Sequence, residues 1–92
     1  IKPDFANAHY NLGLILIDLG KLQEAELSIR RVIELNTNFA MAHYKLGMIL
    51  LNLGNSHDAE LSLRKAINIE PNLTCAIEEL ARRSKSKKSG VA

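Results

Sequence analysis

The chain has 92 residues, 47% hydrophobic, 24% charged and 4% aromatic, with a net charge of +2. It is one small globular domain, near the size at which a single core is only just sufficient. No stretch approaches the ~20 apolar residues that span a bilayer, no signal-peptide pattern opens the chain, and the lone Cys75 excludes an internal disulfide framework or a cysteine-based zinc cluster.

The elements follow in order. "IKPDF" (1–5) ends in an approach to a helix, with Asp4 as its expected N-cap. A first helix is expected over about 5–19; between Leu12 and Leu19 only Asp18 is strongly polar, and Gly20 stops it. The second, about 22–35, is amphipathic: Leu22, Ala25, Ile29, Val32 and Ile33 form a stripe, with Gln23, Glu24, Arg30, Arg31 and Glu34 away from it. Asn38 is the expected cap of a third helix over about 39–53, which Gly54 ends. A fourth, about 56–69, exits at Pro71, and Asn72 is the expected cap of a fifth over about 73–86. No stretch alternates cleanly enough for a strand.

Sliding the chain by 34 superimposes 6–39 on 40–73 with 17 of 34 positions identical. The register extends outward: Asp4, Asn38 and Asn72 fall 34 apart, as do Ala8, Ala42 and Ala76, and Leu12, Leu46 and Leu80. The chain therefore divides into the tail of a preceding unit (1–5), two full units (6–39 and 40–73), the first helix of a third (74–86) and a basic tail (87–92). Opening on Ile1 rather than Met, it reads as a piece of something longer. The helix over 5–19 is apolar nearly all round, which marks it as an inner helix packed by its partner and by the next unit. Ala8, Gly13 and Ala25 recur as Ala42, Gly47 and Ala59 and let the helices approach closely. Each copy covers its neighbour, and stacking builds a core that one unit cannot.

These residues carry a resemblance. The 34-residue helix–turn–helix with "LG" in the first helix, Gly at the turn, "EAE" or "DAE" opening the second and "EPN" at the exit resembles the tetratricopeptide repeat over essentially residues 1–83. The wording is most similar to the long bacterial and O-GlcNAc-transferase-type arrays. His9 and His43 stand where the family most often has Trp, and Leu16, Leu50, Ile29 and Leu63 where it often has aromatics. The resemblance implies an all-α solenoid of antiparallel helix pairs, about five helices in a right-handed superhelix, whose inner helices line a concave groove for peptides or partner proteins. The positions matching the family's groove places are Asn7, Tyr10, Asn11, Leu14, Ile17 and Asp18 in the first unit. Met41, Tyr44, Lys45, Met48, Leu51 and Asn52 match them in the second. The Lys/Asn set that clamps a C-terminal carboxylate in chaperone-binding members is absent at these places; Asn11 matches a backbone-contacting asparagine, but Lys45 and Glu79 replace it afterwards. A mostly apolar groove suits an apolar or amphipathic helix better than an acidic tail, and Met41 and Met48 make it adaptable. Tyr10, Tyr44, Met48 and Leu51 are expected to be more exposed than their chemistry suggests.

The expected function is thus a non-enzymatic protein-interaction scaffold without cofactor or metal, and the competing class is a self-assembly module. His9 and His43 are a full repeat apart and read as packing residues, His57 as exposed, and Cys75 as a small filler. Ser28, Ser62 and the histidines form no nucleophile elbow or oriented triad, and every glycine before the tail serves a turn or a contact, leaving no phosphate loop. Residues 1–81 carry −3 and residues 82–92 carry +5 through Arg82, Arg83, Lys85, Lys87 and Lys88. That basic end reads as a solvated terminus, with contact to an acidic surface, such as the protein's own body, RNA or anionic lipid, as the alternative. Nucleic acid is not expected as the main ligand, since no aromatic accompanies the basic run. A cytoplasmic setting is favoured, although one cysteine does not settle the compartment. The fifth helix, with Glu78, Glu79, Arg82 and Arg83 toward its outer side, is expected to cap the C-terminal end. The N-terminal end has no cap, leaving Leu12, Ile15 and Leu19 without a neighbour; a homo-oligomer is expected there, a two-fold dimer in preference to an end-to-end stack.

Overall fold

The computed structural model describes the backbone of residues 5–91 and the side chains of residues 5–83. Five helices follow one another: α1 (Phe5–Asp18), α2 (Leu22–Leu35), α3 (Ala40–Asn52), α4 (Ser56–Ile69) and α5 (Thr74–Val91), with no strand among the described residues. α1 packs on α2 and α3 on α4, while α2 packs on α3 and α4 on α5 to join successive units. The result is an all-α helical-repeat solenoid.

The turns inside each unit are closed by glycine. Gly20 and Gly54 have φ of 78° and 86°, the left-handed region that a side chain resists. The N–H of Gly20 bonds to the Ile17 carbonyl at 3.0 Å and that of Lys21 to Leu16 at 2.9 Å. Gly54 and Asn55 repeat the pair on Leu51 and Leu50 at 3.1 and 2.8 Å. Both helix ends thereby satisfy carbonyls that the helix itself leaves open.

The turns between units differ from expectation. Asn38 does not cap α3: the N-cap position is Phe39, which makes no side-chain cap bond. Instead the Asn38 N–H donates to Asn36 Oδ1 at 3.2 Å and the Phe39 N–H to the Asn36 carbonyl at 3.2 Å. α5 begins at Thr74, so Asn72 stands one residue too early to cap it, and Thr74 Oγ1 donates to the Asn72 carbonyl at 3.3 Å. The helices start one residue later than expected, and the asparagines shape the turn instead. Asp4 lies outside the described residues.

α5 also continues to Val91, so the segment expected to be a tail is helical up to its last residue but one. Arg, Lys and Ala are good helix formers, and neither Pro nor Gly interrupts the run before Gly90. The side chains of residues 84–92 lie outside the described residues, and with them the reading of the basic end.

The core sits between the helix pairs. Ala25, Ile29, Val32, Ala42, Leu46, Ile49, Leu50 and Ala59 form one buried cluster, and Leu63, Ala66 and Ala76 a second. Close approach depends on missing side chains. A Cβ at Gly47 would lie 2.9 Å from Leu63 Cγ and 3.2 Å from the Ala59 carbonyl oxygen; one at Gly13 would lie 2.6 Å from Ile29 Cδ1. The two inner helices are nevertheless unequal. α3 buries seven residues and α1 only Gly13, because α3 has a neighbour on each side and α1 on one.

Candidate functional site

α1, α3 and α5 occupy equivalent places in the repeat, so residues 34 apart recur along one face. None of the twelve positions matched to the family's groove is buried. Asn7, Asn11, Asp18 and Asn52 are exposed, and Tyr10, Leu14, Ile17, Met41, Tyr44, Lys45, Met48 and Leu51 are half-buried. The four residues expected to be unusually exposed, Tyr10, Tyr44, Met48 and Leu51, are thus partly covered. Tyr10, Ile17 and Leu51 lean on the larger buried cluster and Tyr44 on the smaller one.

Specific contacts explain that partial cover. The Tyr10 ring packs against Phe39, centroids 4.9 Å apart at 30°, across the α2–α3 turn. The Lys45 Nζ stands 5.6 Å from the centre of the Tyr44 ring, within range of a cation–π attraction. Cys75, Glu79 and Arg82 lie within electrostatic range of the Tyr44 hydroxyl. Burial, then the neighbouring Cys75, push both phenols above their ordinary titration range. Both phenols therefore remain neutral hydrogen-bonding groups near pH 7.

Sequence reasoning placed Glu79 in the register of Asn11 and Lys45 but did not carry Cys75 and Arg82 onto the same face. Cys75, Glu79 and Arg82 fall 34 residues after Met41, Lys45 and Met48, so the register alone places them on the same face. Glu79 accepts from Arg82 Nη1 at 2.8 Å and its side chain is only 13% exposed. The expected charged outer side of α5 is correspondingly reduced. Glu78 is exposed, but Glu79 turns toward Tyr44, and Arg83 lies against α4 with its Nε 3.6 Å from Glu60 Oε2.

The remaining candidates are placed as follows. His43 is buried, and its Nε2 lies 3.1 Å from the Thr37 carbonyl, which can only accept, so Nε2 carries the proton. Burial holds its pKa below the ordinary 6.5, the Thr37 bond opposes this, and the Lys65 charge adds to it. His9 is half-buried and His57 exposed; Cys75, Ser28 and Ser62 are half-buried. No group of three potential metal ligands occurs among the described residues, and none of their helices is long and apolar enough to cross a membrane. Two shallow clefts lie away from the twelve positions. One of about 360 Å³ is walled by residues of α2, α3 and α4 including Arg30, Ile33, His43 and Leu61, and one of about 370 Å³ lies beside Gly20 and Leu53.

The other notable surface is on α1. Phe5, Leu12, Ile15 and Leu19 are 65, 45, 55 and 64% exposed, an uncovered apolar strip where the sequence left Leu12, Ile15 and Leu19 without a neighbour.

Comparison with known proteins agrees with this geometry. The family description "Tetratricopeptide repeat" matches residues 6–39 and again residues 40–73. No curated protein sequence matches the chain. Among solved structures, a crystal structure of MamA superimposes with a TM-score of 0.85 at 31% identity, over 90% of this chain and 48% of that one. A second MamA structure gives 0.77 at 33% identity, over 82% and 41%. YrrB, described as "a TPR protein with an unusual peptide-binding site", gives 0.81 at 28% identity, over 87% and 41%. The chain spans less than half the length of each of these proteins. Two adjoining repeats in one register, the helix pairs they form and these neighbours place the chain in the tetratricopeptide repeat family.

Proposed function

We propose that this chain, in keeping with the general use of tetratricopeptide repeats as non-enzymatic modules for protein interaction, binds a peptide or partner helix on the face formed by α1, α3 and α5. The observation that carries the reading is the set of half-buried residues Leu14, Ile17, Met41, Met48 and Leu51, together with the half-buried Tyr10 and Tyr44. Ile17 and Leu51 pack against the core with part of their surface open, and Leu14, Met41 and Met48 are likewise half-buried on the helices that repeat along this face. Asn7, Asn11, Asp18 and Asn52 supply a polar edge. An apolar or amphipathic helix is the matching ligand, with methionines able to adjust to it. The description of YrrB as peptide-binding supports the same use of the fold. Nucleic acid is not the proposed ligand. No catalytic role is assigned, since His43 is committed to Thr37 and the half-buried Ser28 and Ser62 sit on separate helices, α2 and α4. Titrating a helical peptide recovered from a bound partner against Met48→Glu and Leu51→Glu tests the proposal. Loss of binding in both supports it, and unchanged affinity in both removes the site.

The α1 strip favours a second reading, self-assembly, by a two-fold contact between N-terminal ends or by end-to-end stacking. Light scattering over a concentration series tests it: growth in mass without added ligand supports it, and a constant monomer mass removes it.

A further inference from the structure

The cleft of about 360 Å³ between α2 and α4 is lined by none of the twelve groove positions, and α3 contributes His43 and Leu46 to it. Ile33 of α2 and Leu61 of α4 are its other apolar groups. Leu61 is 54% exposed, whereas Leu63 on the same helix is fully buried. A single exposed leucine needs no explanation, but this one recurs: Leu27, 34 residues earlier on α2, is 71% exposed. Its neighbours recur with it. Ser62 and Lys65 of α4 correspond to Ser28 and Arg31 of α2, and Arg30 and Ile33 of α2 to Arg64 and Ile67 of α4. α2 and α4 thus each carry the residue types of both walls, so the cleft belongs to the repeat and not to one irregular side chain.

The charges at this cleft are not balanced. Arg30 is held by Glu26 at 2.9 Å, and Glu34 by Arg31 at 2.9 Å, each within α2 itself. Lys65 has no ion-pair partner among the described residues. His43 adds no charge of its own near pH 7, since burial, opposed by the Thr37 bond, and the Lys65 charge keep it neutral. The cleft therefore offers an apolar wall and one uncompensated cation.

We propose that this cleft is a second docking site, for a short segment of a partner protein that carries an aspartate or glutamate beside a leucine-sized apolar side chain. The apolar side chain sits among Ile33, Leu46 and Leu61, and the carboxylate meets Lys65. An acid is selected over a base because Lys65 is unpaired while Glu34 is already satisfied by Arg31. The cleft lies at the small end of ligand pockets, which run to roughly 300–1,000 Å³, so it admits one or two side chains and not a whole helix. Its occupant therefore differs from the apolar helix proposed for the face of α1, α3 and α5. The two sites are independent, and a chain with both bridges two partners.

Nuclear magnetic resonance titration of the whole isotope-labelled chain with acetyl-Leu-Asp-amide, and with its neutral isostere acetyl-Leu-Asn-amide, tests this. At low salt the Asp peptide should shift the amides of Ile33, Ser62 and Lys65 saturably and bind about threefold more tightly than the Asn peptide, a difference that high salt removes. Lys65→Gln, at an exposed position, should abolish the difference, and Leu61→Ser should weaken both peptides; an unaltered spectrum elsewhere confirms that each variant is folded. Equal affinity for the two peptides overturns the acidic specificity. Absence of shifts at these amides, or shifts confined to α1, α3 and α5, overturns the site. Cleft shifts produced by concentrating the chain without peptide assign the surface to a second copy and overturn the proposal as well.

Discussion

Substituting Gly47 with alanine sets two effects of known sign against each other. In a helix interior alanine is favoured over glycine by about 1 kcal/mol, so an unobstructed site would be stabilised. At Gly47 the new methyl carbon would lie 2.9 Å from Leu63 Cγ, 3.0 Å from Cδ2 and 3.2 Å from the Ala59 carbonyl oxygen. Leu63 is fully buried, and the Ala59 oxygen belongs to the backbone of α4, so neither can move freely. Overpacking of this kind costs about 1–3 kcal/mol, which outweighs the propensity gain over most of that range. A net loss of about 1 kcal/mol is expected, and for a domain of this size that lowers Tm by about 4–8 °C. Gly13 provides the internal comparison. A methyl there would meet the end of the Ile29 side chain, and among the described residues the outer flank of α1, with Leu12 and Ile15, is exposed. Gly13→Ala should therefore be less harmful than Gly47→Ala. Urea unfolding read as a midpoint shift at constant m measures both. Stabilisation of Gly47→Ala by the full propensity difference would refute the close approach of α3 to α4.

Larger side chains should act in the same direction: Gly13→Leu and Ala25→Leu, the latter at a fully buried position, should each lower stability by about 1–3 kcal/mol in thermal melts. Gly54→Ala meets no atom within 4 Å but must hold φ near 86°, so about 1 kcal/mol is lost through backbone strain rather than packing, and Tm falls without steric conflict. His43 makes stability depend on pH. Its folded pKa lies below 6.5, so the unfolded chain takes up the proton first. Its contribution is present above that value and is lost as pH falls through the folded pKa. Tm should drop as pH falls below about 6.5, and a His43→Gln variant should show a smaller drop over the same interval.

The fold was legible because the repeat states each structural requirement more than once. Gly20 and Gly54 are read as helix stops from their position in two copies, and both take the left-handed turn. Helix boundaries fell within a residue of expectation except at the end of α5, where no breaker stands before Gly90. The caps at Asn38 and Asn72 were misread because asparagine serves both helix starts and turns, and only the backbone path shows which. In the candidate site, the register located Tyr10, Tyr44 and Met48 on one face but could not show which groups would touch. The packing of Tyr10 on Phe39 and the approach of Cys75 to Tyr44 depend on how far one unit rotates onto the next. Treating α5 as a charged cap also concealed Cys75 and Arg82, although their 34-residue offsets were as readable as that of Glu79. The Arg83–Glu60 approach had no sequence signal, because the two residues share neither a helix nor a repeat position.

Photo-crosslinking tests the central claim most directly. A photoreactive residue is placed at Met48, on the proposed binding face, or at exposed Leu61 on α4, and each protein is incubated with the same partner. Binding along α1, α3 and α5 predicts adducts from position 48, suppressed by unlabelled peptide, and none from position 61. Adducts confined to position 61 would contradict it.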